Sequence, residues 1–165
     1  MNNADGSRSN CEELLPEITT SHQYLFGSIF LLSNKLQILG DQYMAADGIT
    51  LRQWFLTVII KQFDSQRGPT LTEAARLMGT SHQNVKQIAL KLAEKEFLVF
   101  EKDDRDGRSI RLKLTDKSNT FWDSKTSELE LFLKRLFSET IFDDVETAEK
   151  LFKKMLLNIE NWEEQ

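Results

Sequence analysis

The chain has 165 residues, of which 40% are hydrophobic and 28% are charged, and its formal net charge at pH 7 is −5. This length suits one domain that buries its own core, and the 7 glycines and 2 prolines exclude a collagenous or low-complexity chain. One cysteine and two histidines exclude an internal disulfide and a zinc site built from cysteine and histidine alone.

The N-terminal residues 1–12 are polar, and we expect them to form a disordered tail before a single domain over residues 13–165. They lack the apolar segment of a secretory signal. The longest apolar stretch, residues 24–32, is too short to span a bilayer. The sequence therefore predicts a cytoplasmic protein without a membrane partner. We interpret Cys11 as a free thiol of the tail, the alternative being an oxidant sensor.

The first half of the chain has the pattern of a mainly α-helical protein. Apolar residues at helical spacing predict a long helix over residues 14–44, which Asp47-Gly48 ends. A capping box from Thr50 to Gln53 begins a second helix over residues 51–63. A second capping box, Thr70 to Glu73, begins a short helix over residues 71–78 that Gly79 ends.

The middle of the chain changes from helical to strand periodicity. Thr80 or Ser81 caps a helix that runs to about residue 95. Strands are predicted over residues 97–102 and 109–114, with an Asp106-Gly107 hairpin turn between them. In the second strand Ile110, Leu112 and Leu114 alternate with Arg111 and Lys113, which is typical of a half-buried strand.

Two long helices complete the chain. Thr115-Asp116 caps one that runs to about residue 137, and the segment Asp143–Glu146 caps the last, which reaches about residue 162. The apolar residues of the last helix follow steps of three and four, as in a coiled coil.

Residues 70–115 thus form a short helix, a tight turn, a second helix and a hairpin, which is the order of a winged helix-turn-helix. Charge supports this interpretation, because residues 76–113 hold nine basic and six acidic residues and carry +3, leaving −8 for the rest. A solvated charged surface is the alternative. The second helix would lie in the major groove of double-stranded DNA. Its polar residues are the expected DNA contacts: Thr80, Ser81, His82, Gln83, Asn84, Lys86, Gln87 and Lys91.

The hairpin tip, residues 103–108, carries Arg105 and Arg108, which would enter the minor groove. Taken alone, the tip is equally an exposed turn with internal Asp–Arg pairs, and the helix pair an ordinary helical hairpin. Their adjacency favours nucleic acid.

These segments resemble the MarR family of bacterial transcription regulators. The resemblance rests on Thr70–Gly79, on Ser81–Leu92 and above all on the Asp103-x-Arg-Asp-x-Arg108 pattern followed by Leu114-Thr115. It implies a homodimeric repressor or activator in which Asp103 and Asp106 orient the hairpin arginines. Residues 49–115 would be the DNA-binding lobe, and residues 13–48 and 116–165 the intertwined dimerisation helices.

One residue departs from the family pattern. Glu96 follows the second helix where such proteins usually place glycine, and glutamate tolerates a left-handed conformation poorly. We therefore expect the turn into the hairpin to be made differently here.

The dimer is also predicted without the resemblance, because the apolar faces of residues 14–44 and 141–162 exceed what a small winged domain can cover. A two-fold dimer would place its recognition helices about 34 Å apart on a pseudo-palindrome. The alternative is that both helices fold back on their own chain. The expected interface residues are Ile18, Leu25, Ile141, Val145, Phe152, Met155, Ile159 and Trp162.

Phe26, Phe30, Trp54 and Phe55 form a candidate pocket for an effector, which the resemblance suggests is a small aromatic or phenolic acid. Aromatic residues at helical spacing more often form a plain core than a ligand pocket, and this is the alternative. We find no catalytic constellation and expect neither an enzyme nor a cofactor. The alternative function is a winged-helix module that docks another protein without binding DNA.

Overall fold

The computed structural model describes residues 20–63, 67–104, 107 and 109–163. The elements run α1 (Ser21–Met44), a 3-10 turn (Ala45–Asp47), α2 (Leu51–Lys61), α3 (Leu71–Met78), α4 (His82–Glu94), β1 (Leu98–Lys102), β2 (Ile110–Leu114), α5 (Asp116–Leu136) and α6 (Phe142–Glu163). The chain divides into two compact units after Ser118. The predicted tail with Cys11, the interface residue Ile18, and the hairpin residues Arg105, Asp106 and Arg108 lie outside the described residues.

Helix α1 meets α2 only near its own C-terminal end. A Cβ atom added to Gly40 would lie 2.8 Å from a side-chain carbon of Leu51, so the Leu51 side chain packs directly against the glycine. The carboxylate of Asp41 accepts a hydrogen bond of 2.7 Å from the Leu51 N–H, which satisfies one of the free donors at the start of α2. Gly48 then reverses the chain with φ of 64°.

The helices α2, α3 and α4 and the hairpin form the core of the first unit. Both predicted capping boxes are confirmed, at Thr50–Gln53 and Thr70–Glu73. Gly79 ends α3 in the left-handed conformation, as predicted. Helix α4 buries Val85, Ile88, Ala89 and Leu92 on one face. The fully buried side chains of this core include Leu56, Val85, Leu92, Leu98 and Leu112.

The hairpin pairs Leu98 with Leu114 and Lys102 with Ile110 in antiparallel register. The second edge of β2 is also occupied, since Thr70 forms a bridge with Arg111 and the Leu112 N–H donates to the Pro69 carbonyl at 2.8 Å. The expected alternation along β2 is therefore wrong at two residues. Arg111 is buried, with 8% of its surface exposed, and Ile110 at the strand end is exposed.

Glu96 makes the turn from α4 into β1 in the left-handed conformation, with φ of 61°. Among the described residues it is the only non-glycine residue with positive φ. The expectation that a glutamate forces a different turn is wrong. Three contacts hold it: its carbonyl accepts from the Thr115 hydroxyl at 2.7 Å, its carboxylate binds Lys117 at 2.7 Å, and the following Phe97 N–H bonds to the Leu92 carbonyl.

The two C-terminal helices begin differently from one another. The Thr115 hydroxyl accepts from the Ser118 N–H at 3.2 Å, so the predicted cap of α5 is confirmed. Helix α6 begins at Phe142, one residue before the predicted capping segment Asp143–Glu146, and within that segment it is the Asp144 carboxylate that accepts from the Ile141 N–H, at 3.3 Å. Within the described ranges, every helix is too short or too polar to cross a membrane.

Candidate nucleic-acid interface

A groove of about 620 Å³ opens between the start of α3, the exposed side of α4 and the hairpin. Apolar side chains lie along it together with hydroxyl, imidazole and ammonium groups. The groove is therefore a concave surface of the first unit that offers both apolar contacts and hydrogen-bond donors. The lining residues are Thr70, Leu71, Thr72, His82, Lys86, Leu90, Phe100, Ser109 and Ile110.

Most of the predicted contact residues on α4 point outwards. The structure leaves six of them exposed at the N-terminal end and along one side of the helix. Thr80 and Asn84 differ, because both are half-buried and the Asn84 amide donates to the Thr80 hydroxyl at 2.8 Å. Ser81 is the cap of α4, since its hydroxyl accepts from the Asn84 N–H at 3.2 Å. The exposed six are Ser81, His82, Gln83, Lys86, Gln87 and Lys91.

The hairpin carries charge on its exposed side. Lys113 binds Glu101 across the two strands at 2.5 Å, and Lys102 is exposed at the end of β1. Arg105 and Arg108, the predicted minor-groove residues, follow at the tip, outside the part of the chain that the structure describes. Their role stays a prediction.

A buried ionic cluster lies at the turn end of the hairpin, and the sequence did not reveal it. The Arg111 Nε donates to the Asp103 carboxylate, and its Nη1 donates to the Gly68 carbonyl at 2.7 Å and lies 3.4 Å from the Glu73 carboxylate. Arg67 approaches the same oxygen of Asp103 at 3.8 Å. Asp103 was predicted to orient Arg105 and Arg108, and the structure gives it Arg111 as a partner.

Two carboxylates near the site have pKa values below their usual range. The Thr70 N–H, which donates to Glu73 at 2.7 Å, lowers the pKa of that carboxyl most, with a smaller contribution from Arg111, while partial burial opposes both. The hydrogen bond and charge of Lys117 lower the pKa of Glu96. Both groups therefore stay ionised at neutral pH and hold the start of α3 and the turn after α4.

Comparison with known proteins places this arrangement in a recognised fold. No protein-family model matches the chain. The transcriptional activatory protein BadR of Rhodopseudomonas palustris (strain ATCC BAA-98 / CGA009) is 23% identical to it over 99 residues. These residues are 60% of this chain and 57% of BadR, so the chain spans little more than half the length of that relative.

Solved structures match over most of the chain. AbsC from Streptomyces coelicolor superposes with a TM-score of 0.76 at 13% identity, over 87% of this chain and 97% of AbsC. A MarR/EmrR regulator from Acinetobacter sp. ADP1 gives 0.75 at 17% identity, over 87% and 99%. MepR from S. aureus, solved as a DNA complex, gives 0.70 at 21% identity, over 86% and 99%.

The chain has the fold of the MarR-family transcription regulators. The fold predicted from the sequence, mainly helical with a winged helix-turn-helix, is thereby confirmed. In the terms of the MarR fold, α4 is the recognition helix and β1–β2 is the wing.

The four aromatic residues of the candidate effector pocket lie on two helices of the MarR fold. Phe26 and Phe30 stack edge to face on α1, with ring centroids 5.1 Å apart, and both are mostly exposed. Trp54 is half-buried on α2, and Phe55 is exposed. The alternative that these rings form the core of the chain is wrong for Phe26, Phe30 and Phe55.

The predicted interface residues that the structure describes lie at the surface. Met155 is half-buried, and Leu25, Ile141, Val145, Phe152, Ile159 and Trp162 are exposed. Other large apolar side chains of α5, of α6 and of the turn between them share this exposure, and the apolar spacing in the sequence did not indicate them. They are Leu131, Leu133, Leu136, Phe137, Phe142, Leu151, Leu156 and Leu157.

The metal-binding residue types are scattered. Among the residues that the structure describes, three or more histidine, cysteine or carboxylate side chains nowhere come together as a metal site. The carboxylates of the first unit instead serve as helix caps and ion-pair partners, as Asp41, Glu73 and Glu96 illustrate.

Proposed function

We propose that this protein is a sequence-specific regulator of transcription that binds double-stranded DNA. The observation that carries the proposal is the exposed polar end of α4 beside the wing, in a fold shared with MepR, which has been solved bound to DNA. A B-DNA major groove admits one α-helix, and amide and hydroxyl side chains can hydrogen-bond to base edges there. Gln83 and Gln87 are the exposed amide side chains of α4, and Lys86 adds an exposed ammonium donor beside them.

Arg105 and Arg108 would add minor-groove contacts from the wing, where narrow A·T-rich segments attract guanidinium groups. Asp103 and Asp106 are the proposed orienting residues. The whole chain carries −5, whereas residues 76–113 carry +3, so binding should depend on local charge and weaken steeply with salt.

We propose further that the protein acts as a homodimer. The large apolar side chains exposed on α6, Phe142, Leu156 and Trp162 among them, exceed what an isolated surface usually leaves in water. Helix α1 shows similar exposure along most of its length. Residues 13–48 and 116–165 would form the dimer, and a second copy would present a second α4 to the other half of a pseudo-palindrome.

An aromatic or phenolic acid is the proposed effector, with the exposed rings of Phe26, Phe30 and Phe55 as its contacts. We propose that the protein acts as a repressor, although its relative BadR is named an activator. We expect no catalytic activity and a cytoplasmic location, where DNA of the cell is accessible.

Selection from random-sequence duplexes, followed by fluorescence anisotropy on the selected duplex, tests the proposal. Affinity should fall by about 10³-fold or more between roughly 50 and 200 mM salt. Lys86→Ala should weaken binding about 10-fold and lower the salt slope by about one. Lys134→Ala on α5 removes the same charge from an exposed site and should change affinity less than about twofold.

Failure to select or bind any duplex at low salt would contradict the proposal. It would favour the alternative, a winged-helix module that docks another protein. Equal loss in the two lysine variants would show that net charge alone, and not the α4 surface, sets the affinity.

A further inference from the structure

Arg111 is the most buried basic residue that the structure describes, and it lies in the wing, the element expected to face a polyanion. Only 8% of its surface is exposed, and its partner Asp103 is exposed to 6%. The guanidinium charge is therefore neutralised inside the protein, and Arg111 does not itself face DNA.

The acceptors of Arg111 belong to three separate segments. Asp103 follows β1, Gly68 lies in the loop before α3, and Glu73 lies in the first turn of α3. Glu73 is bound in turn to the Thr70 N–H at 2.7 Å. One planar guanidinium thus connects the wing to the start of the helix that precedes the recognition helix.

The start of α3 and the wing both line the groove described above. Thr70, Leu71 and Thr72 lie on the α3 side, while Phe100, Ser109 and Ile110 lie on the wing side. Backbone contacts also join β2 to the residues just before α3, through the Thr70–Arg111 bridge and the Leu112–Pro69 hydrogen bond. Arg111 therefore lies where the spacing between the wing and the helix-turn-helix is determined.

Stability alone does not require an arginine here. Desolvating two charges costs several kcal/mol per ion, and well-packed apolar residues are often as stable or more so in such positions. An arginine, however, presents five donors in a fixed plane, and it can hold a carboxylate and a carbonyl at defined angles together. A lysine keeps the charge but offers one compact ammonium group without that planar geometry.

We propose that Arg111 is a positioning residue that fixes the wing relative to the recognition helix, so that both can contact one duplex together. The proposal rests on the proposed DNA-binding function. It goes further because Arg111 itself touches no DNA. Through the position of the wing, this residue would determine whether the wing contacts the duplex together with the recognition helix.

The test compares two variants of the full-length chain that both preserve net charge. Arg111→Lys removes the planar connection, while Lys113→Arg changes a cation two residues along the same strand that pairs only across the hairpin, with Glu101, among the contacts described for it. The probe is the duplex selected by the wild-type protein. Arg105→Ala identifies which hydroxyl-radical protections come from the wing, and dimethyl sulfate protection of major-groove guanines reports on α4.

We expect Arg111→Lys to lose the wing protections and about 10-fold in affinity, while the guanine protections remain. Lys113→Arg should keep both. If Arg111→Lys does not fold by circular dichroism, Glu73→Gln replaces it, since glutamine still offers an oxygen to the Thr70 N–H and loses only the charge facing Arg111. It should show the same selective loss of wing protection, with a decrease of about threefold in affinity.

A folded Arg111→Lys or Glu73→Gln variant with both sets of protections unchanged would overturn the positioning role and leave the proposed function intact. Parallel loss of both sets would also overturn it, because a general destabilisation affects both contacts alike. A wild-type chain that protects no duplex would overturn the proposed function itself.

Discussion

Glu96 shows how a single unfavourable backbone conformation is held by its neighbours. Its positive φ brings the side chain close to its own carbonyl, a cost that glycine does not have. The Thr115 and Lys117 contacts tie this turn to the start of α5. The strained residue thus joins the end of the recognition helix to the beginning of the next long helix.

Glu96→Gly should therefore stabilise the protein. Removing the Cβ relieves the backbone strain, and we expect the thermal unfolding midpoint to rise by roughly 2–4 °C. Glu96→Ala is the control, since it keeps the strain and loses only the exposed ion pair, which should leave the midpoint nearly unchanged. Equal midpoints for the glycine and alanine variants would show that the turn is not strained.

Gly68 and Gly79 both have positive φ, but their surroundings differ. A Cβ atom on Gly68 would overlap the carbonyl oxygen of Leu112, whereas one on Gly79 would meet no atom within 4 Å. Gly79→Ala should cost about 1 kcal/mol of unfolding free energy, the cost of the conformation alone. Gly68→Ala should cost about 3 kcal/mol or more, because β2 must also move. Urea denaturation measures both, and similar losses would contradict the close approach.

At the scale of elements, the recognition helix divides its two neighbouring amides between different tasks. Gln83 is exposed, while the Asn84 side chain is bound to Thr80 inside the first turn. In the proposed complex the first would reach a base edge, while the second stabilises the start of the helix.

Gln83→Ala should consequently change sequence preference, with a loss of about 10-fold on the selected duplex and little loss on duplexes altered at one base pair. Asn84→Ala should instead weaken binding to all duplexes by a similar factor and lower the unfolding midpoint. Competition binding against single-base variants of the selected duplex distinguishes the two. A change of preference in the Asn84 variant alone would reverse the assignment.

The elements that the sequence predicts well are those with local signals. The capping boxes at Thr50 and Thr70 and the glycine at 79 fix helix ends within a few residues, because their hydrogen bonds are local. The burial of Arg111 could not be predicted, since residues 68–70 pair with β2 across about forty positions of sequence. The Glu96 turn was also missed, because its stabilising contacts come from Thr115 and Lys117.

At the scale of the whole molecule, many large apolar side chains are exposed to solvent in the single chain, and nothing within that chain covers them among the described residues. The sequence predicts one apolar seam along α6, and the structure adds exposed side chains such as Leu131 and Leu133 on α5. Periodicity within one helix indicates an apolar face but does not show which partner covers it. For that reason the sequence predicts a dimer without the extent of its interface, and the dimer stays a proposal.

Phe152→Glu should shift the protein from dimers to single chains, because it places a charge in an apolar interface. Lys150→Ala on the same helix makes the same change in net charge at a site exposed to solvent and should leave the dimer intact. Size-exclusion chromatography with light scattering measures both masses. Dimers of unchanged affinity in the Phe152 variant would place the interface elsewhere.

Sedimentation velocity of the full chain, alone and with the selected duplex at low salt, is the most direct test of the account. We predict a species of twice the chain mass that co-sediments with the duplex at two chains per duplex and dissociates from it as salt rises. Single chains that do not co-sediment with any duplex would contradict both the proposed homodimer and the proposed DNA binding.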